Sequence, residues 1–299
     1  MPITVQPVTP SFAAEVGDVD LGRPLAADDV AAIKAAFTKY AVLVFPDQTF
    51  SDESHLDFAR HFGPLETSVF AIRQDHKMRL APQMADVGNL DADDNILKTD
   101  DRIRLYQLGN RLWHTDSSFK RLPAYCSILH GRSIPPIGGH TEFADLRAAY
   151  DALPEATKRK IAGLVAEHSL LTSRARLGFG DFDETERKAF EPVPQVLVRR
   201  LQDSGRMSLY LASHAGAIRG MAKAEAEKLL KELIDHATQR QFVYTHRWRV
   251  NDLVMWDDRC TMHRGLEFDD QRYKRDMRRA TVSDIAPTCE QMGLAVAAE

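Results

Sequence analysis

The chain has 299 residues, 44% hydrophobic and 27% charged, enough to bury a sizeable core. Its net charge of −4 argues against a general nucleic-acid or membrane-surface partner, and no apolar run reaches the roughly 18 residues of a membrane span. Three well-separated cysteines in no CxxC pair and a start, Met1-Pro2-Ile3-Thr4-Val5, without a signal-peptide pattern fit a reducing cytoplasm.

In chain order, Ala27–Tyr40 reads as a helix with Val30, Ile33 and Phe37 on one stripe and Asp28 and Asp29 near its positive end. Residues 41–45, Ala-Val-Leu-Val-Phe, form a short buried strand stopped by Pro46. Ser51 caps a second helix carrying Leu56, Ala59 and Phe62, which Gly63-Pro64 ends. Residues 68–109 hold no sustained period and much polarity. So long a stretch without regular structure reads as a lid or binding loop. The polar insertion over residues 174–191 is read in the same way.

Strand-like runs follow at residues 125–129, 141–143, 196–201, 207–211 and 253–256. Turn signals such as Pro135-Pro136-Ile137-Gly138-Gly139 and Asp203-Ser204-Gly205 separate several of them. Residues 222–238 make the clearest helix, with Ala226, Leu229, Leu230, Leu233 and Ala237 on its apolar face. With no linker, composition shift or repeat, residues 1–299 read as one domain. Short strands with peripheral helices predict a mainly β fold, a double-sheet jelly roll with a ligand mouth between its sheets.

The chemistry concentrates in Leu112-Trp113-His114-Thr115-Asp116-Ser117-Ser118-Phe119 and in Met262-His263-Arg264-Gly265. Side chains alternate along an extended segment, so His114 and Asp116 point to the same side. A lone His-x-Asp arises often by chance, and most of the eleven histidines are expected to be core or surface residues. His263 changes the weighting. Residues 251–263 read as a hairpin, a buried strand, a polar turn and a returning strand, which carries His263 to a definite depth. Two imidazoles and one carboxylate leave about three open coordination positions, the arrangement that non-haem Fe(II) oxygenases use.

The basic run Arg272-Tyr273-Lys274-Arg275-Asp276-Met277-Arg278-Arg279 comes next. Arg275 and Arg279 share a face if their segment is a strand, and an inward guanidinium suits two-point binding of a carboxylate or sulfonate. Two inward arginines imply two anionic groups, one on an organic acid cosubstrate and one on the substrate. A solvated basic run is the plain alternative.

On these residues the chain resembles the taurine dioxygenase family of Fe(II)/2-oxoglutarate enzymes, and within it the phenoxyacetate branch. The similarity covers nearly the whole chain. It takes in Val42-Leu43-Val44-Phe45, Phe62-Gly63-Pro64-Leu65-Glu66, the His114 motif, residues 139–143 and 145–154, His246-Arg247-Trp248, residues 252–265 and Arg278-Arg279-Ala280-Thr281.

The resemblance implies a double-stranded β-helix with His114, Asp116 and His263 as catalytic iron ligands. It implies that Thr141 and Arg275 hold the distal carboxylate of 2-oxoglutarate and that Arg279 holds the substrate's anion. Lys274 or Arg278 takes such a role if the register of the basic run differs. Asn110 and His214 align with polar pocket positions, where a loop Asn and a surface His are the plain alternatives. Trp113 and Trp256 read as packing behind the ligands. The implied reaction uses Fe(II), 2-oxoglutarate and O2 to hydroxylate the carbon beside the ether oxygen of aryloxyacetates such as 2,4-dichlorophenoxyacetate. The products are a phenol and glyoxylate, with succinate and CO2. A taurine or alkylsulfonate dioxygenase and a metal-dependent hydrolase are the rival readings. The expected partner is a small aryloxy or aromatic organic acid, with no nucleic acid or membrane, in a homo-oligomer.

Overall fold

Five consecutive buried residues, Leu253 to Asp257, form a strand covered on both faces near the middle of the largest sheet. Its first four residues, Leu253 to Trp256, are an unbroken apolar run, the signature of a strand inside a layered core. Residues 2–68, 79–180 and 182–295 are described in this computed structural model.

In chain order the strands begin with β1 (Thr4–Pro7), β2 (Ala13–Gly17), β3 (Val42–Phe45), β4 (Met84–Asp86), β5 (Ala124–Ser133) and β6 (Thr141–Asp145). Then come β7 (Val165–His168), β8 (Val193–Val196), β9 (Val198–Arg200), β10 (Met207–Leu209) and β11 (Ala215–Ile218). The last are β12 (Val243–His246), β13 (Leu253–Asp257), β14 (Thr261–Gly265) and β15 (Asp276–Ser283). The major sheet has seven strands in the order β1-β2-β3-β13-β5-β15-β4. A smaller sheet, β12-β6-β14, covers part of it, and β11-β7-β8 and β10-β9 complete the strands. The fold is a mainly β jelly roll with helices at its periphery.

The helix Ala27–Tyr40 buries Ile33, Phe37 and Tyr40 against Leu43, Phe45, Ile128 and Met255 of the major sheet. Ala41, at φ 59°, ends it in the left-handed conformation and turns the chain into β3. Ser51 caps the helix Asp52–Arg60 by accepting from Ser54 N–H at 3.1 Å. The helix Lys223–Ala237 buries the five residues expected of it, packing them on Leu146, Ile161, Leu209 and Leu211. Burying each of its leucines contributes roughly 1.5–3 kcal/mol. Between the two main sheets lies a third cluster of Leu129, Phe143, Val254, Trp256 and Met277.

Three expectations need correction. Residues 251–263 are not a hairpin: β13 pairs with β3 and β5, whereas β14 pairs with β6 in the other sheet. The polar turn between them is a corner that carries the chain across the sandwich. There Arg259 Nε and Nη2 bind Asp257 at 2.9 and 2.7 Å, and Thr261 Oγ1 donates to Asp257 O at 2.9 Å. Residues 196–201 are not one strand either, because β8 and β9 belong to different sheets. The segments read as aperiodic carry short elements: β4, the helices Arg102–Gln107 and Glu184–Ala189, and part of the helix Leu170–Ala175. These elements are too short to impose a visible hydrophobic period, and β4 exists through its pairing with β15. Residues 69–78 and 181 of the expected lids lie outside the described residues.

Candidate active site

His114 is tied to His263 by two backbone hydrogen bonds of 3.0 and 2.8 Å, which bring the ring centroids to 4.1 Å. Thr115 faces away, its hydroxyl donating to Leu211 O and Thr261 O at 2.8 and 2.9 Å. Asp116 returns to the side of His114, as the alternation of an extended chain requires. Its Oδ1 lies 3.8 Å from His114 Nε2, and its Oδ2 lies 3.7 Å from His263 Nε2. Ser117, at φ 52°, then bends the chain away. One donor atom from each of His114, Asp116 and His263 falls within 4.8 Å of the others, and all three residues are buried.

The electrostatics suit a cation. His114 Nδ1 meets Leu112 O at 2.7 Å; with the N–H assigned there, Nε2 keeps its lone pair for the cavity. Burial pushes the pKa of both imidazoles down, that of His263 well down, so both are neutral, as metal ligands must be. Burial opposes ionisation of Asp116, yet the Arg279 charge, helped by the Ser127 hydrogen bond, outweighs it and holds the carboxyl well below its usual range. Arg279 Nη1 donates to Asp116 Oδ1 at 2.6 Å and Ser127 Oγ to Oδ2 at 2.9 Å. Behind them Asp258 Oδ1 accepts from Asp116 N–H and Trp256 Nε1, both at 3.1 Å. Burial and then the Asp116 charge push the Asp258 carboxyl well up. Two neutral imidazoles and one carboxylate on one face fit a ferrous ion.

Two cavities meet at this centre and share Asn110, His114 and Arg279. One runs between the sheets past His263, Thr141, Leu129, Trp256, Phe268 and Arg275. Arg275 as a whole is half-buried, but its Nε is sealed from solvent and has no partner. Its Nη1 donates to Val87 O at 2.8 Å, and burial pushes its pKa down to about 10. Thr141, on β6, accepts a hydrogen bond from Trp248 Nε1 at 2.9 Å. The other cavity is lined by Asp116, Tyr106, Phe119, Leu170, Arg174 and His214. His214 is buried there, not on the surface. Its Nδ1 lies 3.0 Å from Ser173 Oγ, and its ring stands edge-on to His114 and Phe119 at 6.0 and 5.0 Å.

Of the alternative residues of the basic run, neither Arg278 nor Lys274 lines the two cavities. Arg278 turns to Asp52 and Asp276 at 2.6 and 3.2 Å, and exposed Lys274 donates to Asp94 O at 2.6 Å. Trp256 packs 4.7 Å from the His263 ring, and Trp113 lies under the Arg264 guanidinium at 4.7 Å. Ser127, Asp258 and Arg174 were invisible to sequence reasoning. Ser127 is one residue of an ordinary strand, and Arg174 opens what reads as a polar insertion.

Residues 4–281 match the profile of the "Taurine catabolism dioxygenase TauD, TfdA family". The chain belongs to this family. It is a dioxygenase, and the metal-dependent hydrolase reading falls. The family member is 43% identical over 286 residues to the alpha-ketoglutarate-dependent 2,4-dichlorophenoxyacetate dioxygenase of Cupriavidus pinatubonensis, covering 96% of this chain and 99% of that one. It is 37% identical to the (S)-phenoxypropionate/alpha-ketoglutarate-dioxygenase of Sphingobium herbicidovorans, covering 89% and 90% of the two. Among solved structures, AAD-2 in complex with Mn(II) and N-oxalylglycine superposes with a TM-score of 0.89 at 46% identity, over 96% and 99% of the chains.

Proposed function

We propose that this dioxygenase hydroxylates aryloxyacetates such as 2,4-dichlorophenoxyacetate at the carbon beside the ether oxygen. The hydroxylated product is a hemiacetal that collapses to a phenol and glyoxylate; one atom of O2 becomes its hydroxyl oxygen and the other enters succinate as 2-oxoglutarate loses CO2. When bound by His114, Asp116 and His263, Fe(II) with 2-oxoglutarate and O2 supplies the oxidising power for C–H hydroxylation.

Arg275 and Thr141 hold the distal carboxylate of 2-oxoglutarate. The sealed, unpartnered Nε of Arg275 supports this, since a desolvated guanidinium without a carboxylate gains most from one. Arg279 holds the substrate's carboxylate. Its Nη1 is engaged by Asp116, but its Nε has no partner. Asn110 and His214 complete the polar lining of the substrate cavity, and Phe119 and Leu170 supply an apolar wall for the ring. The protein orients one C–H and excludes water. The single observation that carries the reading is the buried His114, Asp116 and His263 cluster at the junction of two arginine-bearing cavities.

Residues 1–299 are read as one domain, with 68–109 and 174–191 as lid segments over the site. The three cysteines are free and buried, which supports a cytoplasmic enzyme; we also read it as a homo-oligomer. The test is turnover of a panel of aryloxyacetates, 2-aryloxypropionates and alkylsulfonates, scored by phenol, sulfite and succinate. Phenol equal to succinate is expected. Sulfite release, or succinate without phenol from every aryloxy acid, overturns the substrate assignment.

A further inference from the structure

We propose that Arg174 is a second anion-binding residue of the substrate cavity, sharing the substrate's carboxylate with Arg279. The proposal deepens the reading of this cavity as the substrate's and rests on it.

Arg174 lies on the helix Leu170–Ala175 and is only 4% exposed. No described carboxylate pairs with it. Its Nη1 donates to Ser173 Oγ at 3.0 Å, its Nε is buried without a partner, and its guanidinium rests on the Tyr106 ring at 4.4 Å. Burial pushes its pKa down, against the attraction of Tyr106 and Asp116. A stacked aromatic and one neutral hydroxyl offset only part of the desolvation of a guanidinium. An arginine kept under those terms beside an open cavity is short of an anion. The cavity supplies the place for one: Arg174, Arg279, His114 and Asp116 all line it.

Charge balance points the same way. Arg174, Arg275, Arg279 and a divalent iron face Asp116 and the two carboxylates of 2-oxoglutarate. Asp86, which lines the same cavity, is bound to Arg79 at 2.7 Å, so two positive charges are left over on the substrate side. Lys120 does not add to them, because it is bound to Glu66 at 2.6 Å. His214 is held neutral by burial first and by Arg174 next. A carboxylic acid entering here therefore meets two guanidinia, one beside the metal ligand Asp116 and one on the helix. Ser173 fixes the second. Its hydroxyl donates to Leu170 O at 2.8 Å, so its lone pairs receive Arg174 Nη1 and His214 Nδ1.

Gly109 provides an independent handle. A Cβ there would come within 2.3 Å of the Arg174 guanidinium. Gly109→Ala should therefore displace the guanidinium while leaving Arg174 in place. The experiment measures binding by calorimetry to the Mn(II)- and 2-oxoglutarate-loaded enzyme without oxygen. The probes are benzoate and phenoxyacetate, against their neutral counterparts benzyl alcohol and phenoxyethanol. Arg174→Met should weaken both acids by about ten- to a hundredfold, the effect of one lost charge-assisted contact, and leave the neutral probes and 2-oxoglutarate unchanged. Gly109→Ala should act in the same direction, and Arg174→Lys should recover part of the loss. If Arg174→Met fails to fold, Gly109→Ala carries the test. Equal weakening of acids and neutral probes would mean a packing role and overturns the proposal. So does unchanged acid binding, or a wild type that binds neither acid. If the wild type binds benzoate but not phenoxyacetate, and Arg174→Met loses benzoate, the aryloxy reading fails and Arg174 keeps its role.

Discussion

Arg279 Nη1 donates to Asp116 Oδ1 at 2.6 Å, so the arginine proposed to hold the substrate also sets the charge of a member of the His114, Asp116 and His263 cluster. The two functions are separable by pH. Burial alone would raise the Asp116 carboxyl; Arg279 is the largest of the influences that hold it down. A depressed carboxyl contributes stability that is present above its unfolded pKa of 3.8 and is lost as pH falls through the folded value. In Arg279→Met the folded pKa should rise, so protonation competes with metal binding at a higher pH. Fe(II) or Co(II) affinity titrated from neutral to acid pH should show an acid limb moved upward in the variant. An unmoved limb would remove Arg279 from the control of the Asp116 charge.

The same variant should separate substrate from cosubstrate. With its carboxylate partner lost, 2,4-dichlorophenoxyacetate should show a larger rise in KM than 2-oxoglutarate. The ratio of phenol to succinate should also fall, because a poorly held C–H leaves cosubstrate oxidation uncoupled. A ratio equal to that of the wild type would remove Arg279 from substrate positioning.

Replacing a metal ligand should be severe but local. His114→Ala, Asp116→Ala and His263→Ala should each lose nearly all activity and weaken Fe(II) binding with the fold kept, since each removes one of three protein ligands. Activity, metal affinity and circular dichroism measured together test this. Near-wild-type turnover in the His263 variant would sink the triad.

Arg275→Lys should raise the KM for 2-oxoglutarate by about ten- to a hundredfold, because an ammonium loses a charge-assisted contact of roughly 1.5–3 kcal/mol that a guanidinium fork makes. The KM for the aryloxy acid should stay nearly constant. If Arg278→Lys has this effect instead, the cosubstrate lies on the other face of β15.

Residues 68–109 and 174–191 should be cut more readily by protease in the free enzyme than with 2-oxoglutarate and substrate bound under anaerobic conditions. Equal cleavage in both states would count against a closing lid.

The sequence by itself determined the strongly periodic and strongly spaced features. The helix Lys223–Ala237 was legible because five apolar residues recur at the helical period on one face. His114 and Asp116 were legible as a pair because two residues apart on an extended chain means one side. Arg275 and Arg279 stood out because they are four apart, hence on one face of a strand, shortly after His263. Only the tertiary structure decided what depends on strands remote in sequence. Whether residues 251–263 double back or cross the sandwich depends on which edges β3, β5 and β6 offer, and that pairing energy is not local. Ser127 reaches Asp116 and Arg174 reaches the cavity through packing between distant segments, with no local pattern to announce either. Burial alone separates Arg174 from the solvated arginines of the same chain, because the cost of an unpartnered charge arises when the surrounding chain removes its water.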